Sequence, residues 1–443
     1  MRIRLSSEKL FIFSYFTGII LIGSLALMLP FSWRGPGPLR YIDALFTSTS
    51  AVCVTGLITV DTALYTRFGQ AAIVLLIQFG GLGIITFATI FIALPRKRIS
   101  LVNRSVIKDY YIDEVEYNPK SMVRGIVGAT LVVEGAGAAL LYLRFRHLDD
   151  GLFVSVFHSV SAFCNAGFST FSDNLEGYVA DPLVNLAVVA LIFLGGIGFL
   201  VMRDVVKRLR GDKRRLSYHS RVAISTSAAL VAFGSLAFYL LESRHAMSEL
   251  DAGGKALASL FQAVTPRTAG FDTILQSRLS APSVLITILL MFIGASPGST
   301  GGGVKTTTFF VLVMAAFRGT DERDRLNIGN RSIPARTIIK ALGVLGKGIA
   351  IILVSAGLLL VLERGTGTGA RPGVVQAIFE AVSAFGTVGL SLGITANLAA
   401  SSKLVLILTM FAGRVGLFAM SIPMPGRKLE RYVELPGTDV LIG

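Results

Sequence analysis

A series of apolar runs long enough to cross a lipid bilayer constrains this chain more than any other feature. Crossing about 30 Å of hydrocarbon takes roughly 20 residues of helix, and eight runs come near that length, around residues 10–30, 70–94, 122–143, 182–202, 221–241, 281–317, 338–362 and 402–423. Composition agrees: 53% of the residues are hydrophobic and only 16% charged, against about 25% charged in soluble domains. A net charge of +15 in so apolar a chain marks cytoplasmic loops, so no nucleic-acid partner is expected. Two cysteines and four scattered histidines argue against a disulfide scaffold, a zinc site and a membrane enzyme. The first run follows Arg2, Arg4 and Lys9 and ends Leu-Met-Leu-Pro with no small-residue cleavage site, so it reads as a retained helix.

Between the runs lie four shorter apolar stretches, such as Tyr41–Val52 and Leu152–Phe163, too short to cross but suited to re-entrant segments. Basic residues set the orientation. Arg96, Lys97, Arg98, Arg104 and Lys108 follow the second run, eight more lie from Arg203 to Arg221, and Arg318, Arg323, Arg325, Arg331 and Arg336 follow the sixth. These loops and both termini are therefore expected in the cytoplasm, and the short stretches dip in from outside.

Aligned on a leading Phe, the four stretches are copies of one unit: FTSTSAVCVTGL from Phe46, FHSVSAFCNAGF from Phe157, FQAVTPRTAGF from Phe261 and FEAVSAFGTVGL from Phe379. Each ends in glycine followed by Leu or Phe, at Gly56, Gly167, Gly270 and Gly389. A second mark trails each copy: Gly80-Gly81-Leu82-Gly83, Gly195-Gly196-Ile197-Gly198, the Gly294 region and Gly413-Arg414-Val415-Gly416. The expected fold is an all-α polytopic membrane protein of four helix–pore loop–helix repeats with pseudo-fourfold symmetry around a central pore. The repeats cover 1–98, 99–210, 211–325 and 326–423, with a C-terminal tail over 424–443. For the trailing glycines, simple close packing of membrane helices is an equally good reading.

Non-helical backbone at membrane depth is tolerated where it is buried in protein or lines a water-filled cavity. Four extended tripeptides meeting on one axis would aim carbonyl oxygens inward and replace an ion's hydration shell, with glycine allowing the close approach. The candidate ion-binding residues are Val54, Thr55 and Gly56; Asn165, Ala166 and Gly167; Thr268, Ala269 and Gly270; and Thr387, Val388 and Gly389. The short helices would point their partially negative C-terminal ends at the ion. Neutral carbonyls plus the hydroxyls of Thr268 and Thr387, with no carboxylate ring, favour a large monovalent cation over a divalent one.

The motifs VCVTGL, CNAGF, RTAGF and GTVGL, taken in this order over nearly the whole chain, resemble the half-filters of the Trk/Ktr/HKT superfamily of potassium transporters. The nearest likeness is to the membrane subunit of bacterial Ktr systems. Glycine in all four copies resembles the potassium-selecting branch, and eight runs resemble Ktr more than Trk. The resemblance implies a bacterial inner-membrane homodimer seated on a cytoplasmic ring of RCK-type subunits that bind adenine nucleotides. No organic cofactor is expected in this chain.

The segment Gly294-Ala-Ser-Pro-Gly-Ser-Thr-Gly-Gly-Gly303, with five glycines and a proline inside the sixth run, cannot stay helical. Its residues Gly294, Ser296, Pro297, Gly298, Ser299, Thr300, Gly301, Gly302 and Gly303, with Lys305 and Arg414, form a candidate gate; the competing reading is a static kink. The family's matching loop is regarded as an intramembrane gate. The other copies are expected to keep a continuous second helix. A nucleotide-binding P-loop fails, because Val304 stands where a glycine is required before Lys305 and no strand precedes it. Arg414, an intramembrane cation, is expected to hold the closed state through the loop's carbonyls, or else to pair with Glu134. Lys305 is read as snorkelling to the cytoplasm.

Thr47, His158, Gln262 and Glu380 are expected to tie the short helices to neighbouring backbone, and Cys53 and Cys164 to act as small apolar side chains. Arg267 and Pro266 make the third copy irregular. The function expected is potassium uptake down the inside-negative potential, with regulation supplied in trans, and surrounding membrane lipid. The alternative is an ion-coupled secondary transporter of another monovalent cation such as sodium, whose signature of paired intramembrane carboxylates is missing, since Glu134 stands nearly alone.

Overall fold

The computed structural model describes residues 7–93, 119–211, 216–319, 321, 325–329, 331–364 and 371–416. The basic residues from Arg96 to Lys108, Arg323, the far N-terminus and the tail lie outside them. Fourteen α-helices carry these residues. The first unit holds α1 (Ser7–Leu27), α2 (Tyr41–Cys53) and α3 (Arg67–Ala93). The second holds α4 (Pro119–Phe145), α5 (Gly151–Cys164), α6 (Pro182–Ile197) and α7 (Phe199–Leu209). The third holds α8 (Tyr218–Glu242), α9 (Ala252–Val264), α10 (Ala281–Phe292) and α11 (Thr306–Arg318). The fourth holds α12 (Ala335–Glu363), α13 (Val374–Gly386) and α14 (Ala400–Phe411), prolonged by a wide π-type turn over Ala412–Gly416.

Helix therefore occurs in all eight apolar runs. Among the described residues three helices are long and apolar enough to cross a membrane, at Val123–Phe145, Tyr218–Glu242 and Ala335–Glu363, or four if the bent pair α6 and α7 is one span. The fold is mostly, not wholly, helical: β1 (Arg325–Ile328) pairs antiparallel with β2 (Arg331–Pro334). This polar stretch can turn back at Gly329, whose φ is 57°, and its backbone bonds are then satisfied by its own hairpin.

The expectation that only the third unit breaks its second helix is corrected. The chain bends by 106° between α6 and α7, at Gly198 with φ 95°, a conformation only glycine adopts without strain. Pro297 O and Gly298 approach this residue closely enough that a Cβ would collide with the former. The break is thus shaped by a contact between units that the trailing mark itself does not encode.

Packing between units runs in a closed cycle. α3 packs on α5, α6 on α9, α10 on α13, and α14 on α2. The last joint is sealed by a buried ion pair, Lys403 Nζ to Asp43 Oδ1 at 2.7 Å, whose partners would each be costly to bury alone. The short helices are almost entirely buried, whereas Ile22, Leu25, Leu236, Leu240, Val354, Val361 and Leu408 are exposed. Apolar side chains thus face outward as well as filling the core, in which many serines and threonines are also buried, as a helix bundle surrounded by lipid allows.

Candidate functional site

The four tripeptides share one backbone geometry. Each begins with a non-glycine residue in the left-handed region, Val54 (φ 56°), Asn165 (φ 61°), Thr268 (φ 70°) and Thr387 (φ 51°), and each ends in a glycine with φ between 69° and 99°. The left-handed region costs an ordinary residue roughly 1–2 kcal/mol, and three of these four are β-branched. Strain repeated at one register in four places is the mark of a site the surrounding structure over-determines. The register bonds are alike: the middle residue's N–H donates to Ser50 O from Thr55 (2.8 Å), to Ser161 O from Ala166 (2.7 Å) and to Ser383 O from Val388 (2.9 Å). In the third copy Ala269 donates to Thr265 O at 3.0 Å, one residue nearer, because that copy is a residue shorter.

The tripeptides close on one another. A Cβ on Gly56 would fall within 3 Å of Ala166 O, one on Gly167 within 3 Å of Ala269 O, one on Gly270 within 3 Å of Val388 O, and one on Gly389 within 3 Å of Thr55 O. These contacts run from the first unit to the second, third, fourth and back to the first. The side-chain oxygens differ. Oγ1 of Thr55 and of Thr387 are buried with no hydrogen-bond partner among the described residues. The Asn165 amide nitrogen donates to Ala162 O and Ile192 O at 3.0 and 3.2 Å, which turns the amide oxygen toward Thr268 Oγ1.

The 294–303 loop lies directly against these hydroxyls. Gly301 meets Thr268 Oγ1 and Gly302 meets Thr387 Oγ1 so closely that a Cβ on either would overlap them. The loop is anchored to the second unit through Ser296 N–H to Gly196 O (2.9 Å), Thr300 N–H to Gly195 O (3.2 Å) and Phe199 N–H to Gly298 O (3.1 Å). Thr300 Oγ1 also donates to Phe163 O at 3.2 Å, capping an end carbonyl of α5 that the helix leaves open.

Two cations hold the loop. Arg414 donates to Thr300 O and, at 2.8 Å, to Gly80 O, so one guanidinium joins the first, third and fourth units. Glu134, its alternative partner from sequence, instead accepts from Gln78 Nε2 at 3.0 Å. Lys305 does not snorkel: its Nζ turns back and donates to Gly301 O at 2.7 Å, because the unwound loop offers unpaired carbonyls closer than water.

The trailing glycines serve packing. Cβ atoms on Gly80, Gly195 and Gly413 would overlap Val52 O, Phe163 O and Phe385 O, the same register of three short helices. At the third copy the corresponding Gly294 meets Gly302 O of the loop instead. Thr47, Gln262 and Glu380 bond to side chains beyond them in the chain, Tyr65, Gln276, and Ser391 with Thr395, while His158 bonds both to backbone, Val154 O at 2.8 Å, and to Ser169 Oγ at 2.9 Å. Cys164 is not merely apolar; its Sγ approaches Gln78 Oε1 at 3.3 Å. Arg267 is buried and its Nη2 donates to Ser227 Oγ at 3.0 Å, which places the third copy's odd residue behind the ring. Beyond Gly270, Asp272 accepts from Gln276 Nε2 at 2.8 Å. Burial, with some help from Glu176, pushes its carboxyl up to about 8, against the lowering effect of that hydrogen bond.

Sequence reasoning missed the left-handed residues, the break at Gly198 and the bond from Arg414 to the first unit. Only the first had a signal, a shared position two residues before each glycine.

Helices that expose apolar side chains and enclose a ring of strained, non-helical tripeptides define a membrane protein built around a polar backbone site. The comparisons make this specific. Residues 10–425 match the TrkH family model, described as cation transport protein, and the chain belongs to that family. It is 39% identical to Ktr system potassium uptake protein B of Bacillus subtilis, covering 100% of this chain and 98% of the relative. It is 36% identical to potassium/sodium uptake protein NtpJ of Enterococcus hirae, covering 100% and 98%. The crystal structure of the potassium transporter TrkH from Vibrio parahaemolyticus shares the fold, with a TM-score of 0.75 at 21% identity over 95% of this chain and 86% of that one.

Proposed function

We propose that this chain is the ion-conducting subunit of a potassium-uptake system in a bacterial inner membrane. Its four repeats, 1–98, 99–210, 211–325 and 326–423, surround a pseudo-fourfold pore, with both termini in the cytoplasm. The observation that carries the reading is the closed ring of tripeptides, with the Thr55 and Thr387 hydroxyls without a partner among the described residues and the glycine loop lying against the ring. Such a ring offers carbonyl and hydroxyl oxygens in place of water, and the names of the relatives direct the choice of ion to potassium. Residues 54–56, 165–167, 268–270 and 387–389 form the selectivity filter. Residues 294–303, held by Lys305 and Arg414, form the gate. Regulation comes from a cytoplasmic RCK-type ring carrying an adenine nucleotide, beneath a homodimer of this chain.

Rubidium uptake in cells lacking other potassium-uptake systems, expressing this chain with such a ring, tests the reading. Uptake is expected, and Gly270→Ser should lower discrimination against sodium by about tenfold or more, since a Cβ there collides with Val388 O and opens the ring. Absence of uptake, or unchanged discrimination in Gly270→Ser, refutes the filter. A sodium-coupled mode has one observation behind it, the potassium/sodium designation of the Enterococcus relative; stimulation of rubidium uptake by external sodium would establish it.

A further inference from the structure

Behind each tripeptide a short helix presents one hydroxyl, four residues after the leading Phe: Ser50, Ser161, Thr265 and Ser383. All four are buried and all four bond to the tripeptide strand, in two different ways. Ser50 Oγ accepts from Gly56 N–H at 3.0 Å and Ser383 Oγ from Gly389 N–H at 3.1 Å. Ser161 Oγ donates to Phe168 O at 2.8 Å and Thr265 Oγ1 to Phe271 O at 2.6 Å.

The peptide plane converts this into a statement about oxygens. In a trans peptide, N–H and C=O point in opposite directions, and no cis bond is present among the described residues. Where a serine draws the glycine N–H back toward its helix, the carbonyl of the preceding residue, Thr55 or Val388, is turned the other way, into the ring. Where the hydroxyl takes the carbonyl of the residue after the glycine, Phe168 or Phe271, that oxygen is turned out of the ring. The fourth and first copies adjoin, through Gly389 and Thr55, and so do the second and third, through Gly167 and Ala269. The bonds therefore divide the ring into two halves.

We propose that these four hydroxyls are positioning residues for selectivity and act as two half-rings. Ser50 and Ser383 hold two ion-facing carbonyls in place, while Ser161 and Thr265 withhold two carbonyls on the outer side of the glycines. This rests on the filter reading above. The glycine amides of the fourth and first copies set how closely the ring fits a potassium ion, and the other pair limits how many oxygens an entering ion meets.

The test is rubidium uptake with sodium as competitor, in cells lacking other uptake systems, for variants extracted in detergent at wild-type yield. Ser50→Ala and Ser383→Ala should lower rubidium-over-sodium selectivity by roughly three- to tenfold, the loss of one hydrogen bond each, and Ser→Thr at either position should restore it. Ser161→Ala and Thr265→Val should keep selectivity and lower the KM for rubidium, because Phe168 O and Phe271 O become available. Ser48→Ala and Ser159→Ala are the controls, since these helix hydroxyls donate to Ile20 O and Glu134 O at 2.7 and 2.6 Å, away from the ring. Equal effects of the two pairs, or reduced uptake with unchanged selectivity in Ser50→Ala and Ser383→Ala, overturns the proposal. If Gly270→Ser shifts selectivity and the serine variants do not, the brace falls and the filter stands; if neither does, the filter falls first.

Discussion

The second helices of the first and third units carry the same glycine-rich mark and fold in opposite ways. α3 runs unbroken through Gly80, Gly81 and Gly83, while the corresponding run in the third unit unwinds from Ile293 to Lys305. Glycine alone does not break a membrane helix, where no water competes for the backbone. The third unit adds Pro297, which lacks an N–H, and it finds outside partners for its freed carbonyls in Arg414, Lys305 and Phe199 N–H. The second unit shows the intermediate case. Its glycines suffice for a helix, yet the chain bends at Gly198 where the loop from the third unit presses on it. Unwinding here depends on the partners available as much as on the residues that unwind.

Variants can break this contrast, beginning with the largest effect. Removing Gly301–Gly303 takes away the segment under Thr268 and Thr387 and should raise rubidium uptake about tenfold or more; unchanged or lower uptake in an inserted protein would identify a static kink. Arg414→Ala removes charge-assisted bonds worth roughly 1.5–3 kcal/mol each, and should raise leak about tenfold, measured as uptake without the cytoplasmic ring. Arg414→Lys, which cannot reach Thr300 O and Gly80 O together, should lie between.

Gly198→Ala places a Cβ against Pro297 O in a left-handed conformation and should loosen the loop, raising leak a few-fold, by the roughly 1–2 kcal/mol of that strain. Gly83→Ala in the unbroken α3 has its nearest neighbour at 3.5 Å, and should leave uptake unchanged with thermal stability equal or higher. Equal effects of these two substitutions would erase the distinction between the helices. Asp272 is read by stability rather than by uptake. With its carboxyl raised to about 8 in the folded state from 3.8 unfolded, the folded protein binds the extra proton, so stability falls as pH rises from about 4 through 8. Asp272→Asn should flatten that slope in thermal melts at pH 5 and pH 8.

The four left-handed tripeptides were legible as a recurring motif because each copy repeats a Phe, a hydroxyl and a glycine at one register, a pattern that random packing residues do not keep. The segment 294–303 was legible because Pro297 and five glycines exclude a helix on local grounds. Lys305 was misread because its reach to water was considered without the loop carbonyls folded beneath it. Cys164 was misread because Gln78, distant in sequence, was not known to face it. The two-stranded hairpin at Arg325–Pro334 is too short and polar to carry a periodic signal.

By itself the sequence determined that this chain is apolar enough to enter a membrane, that one short motif recurs in it four times, and that one helix must open. Each of these follows from local chemistry: apolar length, repeated register, and the loss of an N–H at proline. Only the tertiary structure decided which unit adjoins which, that Lys403 and Asp43 close the cycle, that Arg414 bridges three units, and that the four hydroxyls behind the tripeptides bond in two different ways. Those outcomes depend on the direction of single peptide planes and on partners more than 300 residues apart in the case of Arg414 and Gly80. Hydrogen-bond geometry of that kind is settled only when the units meet.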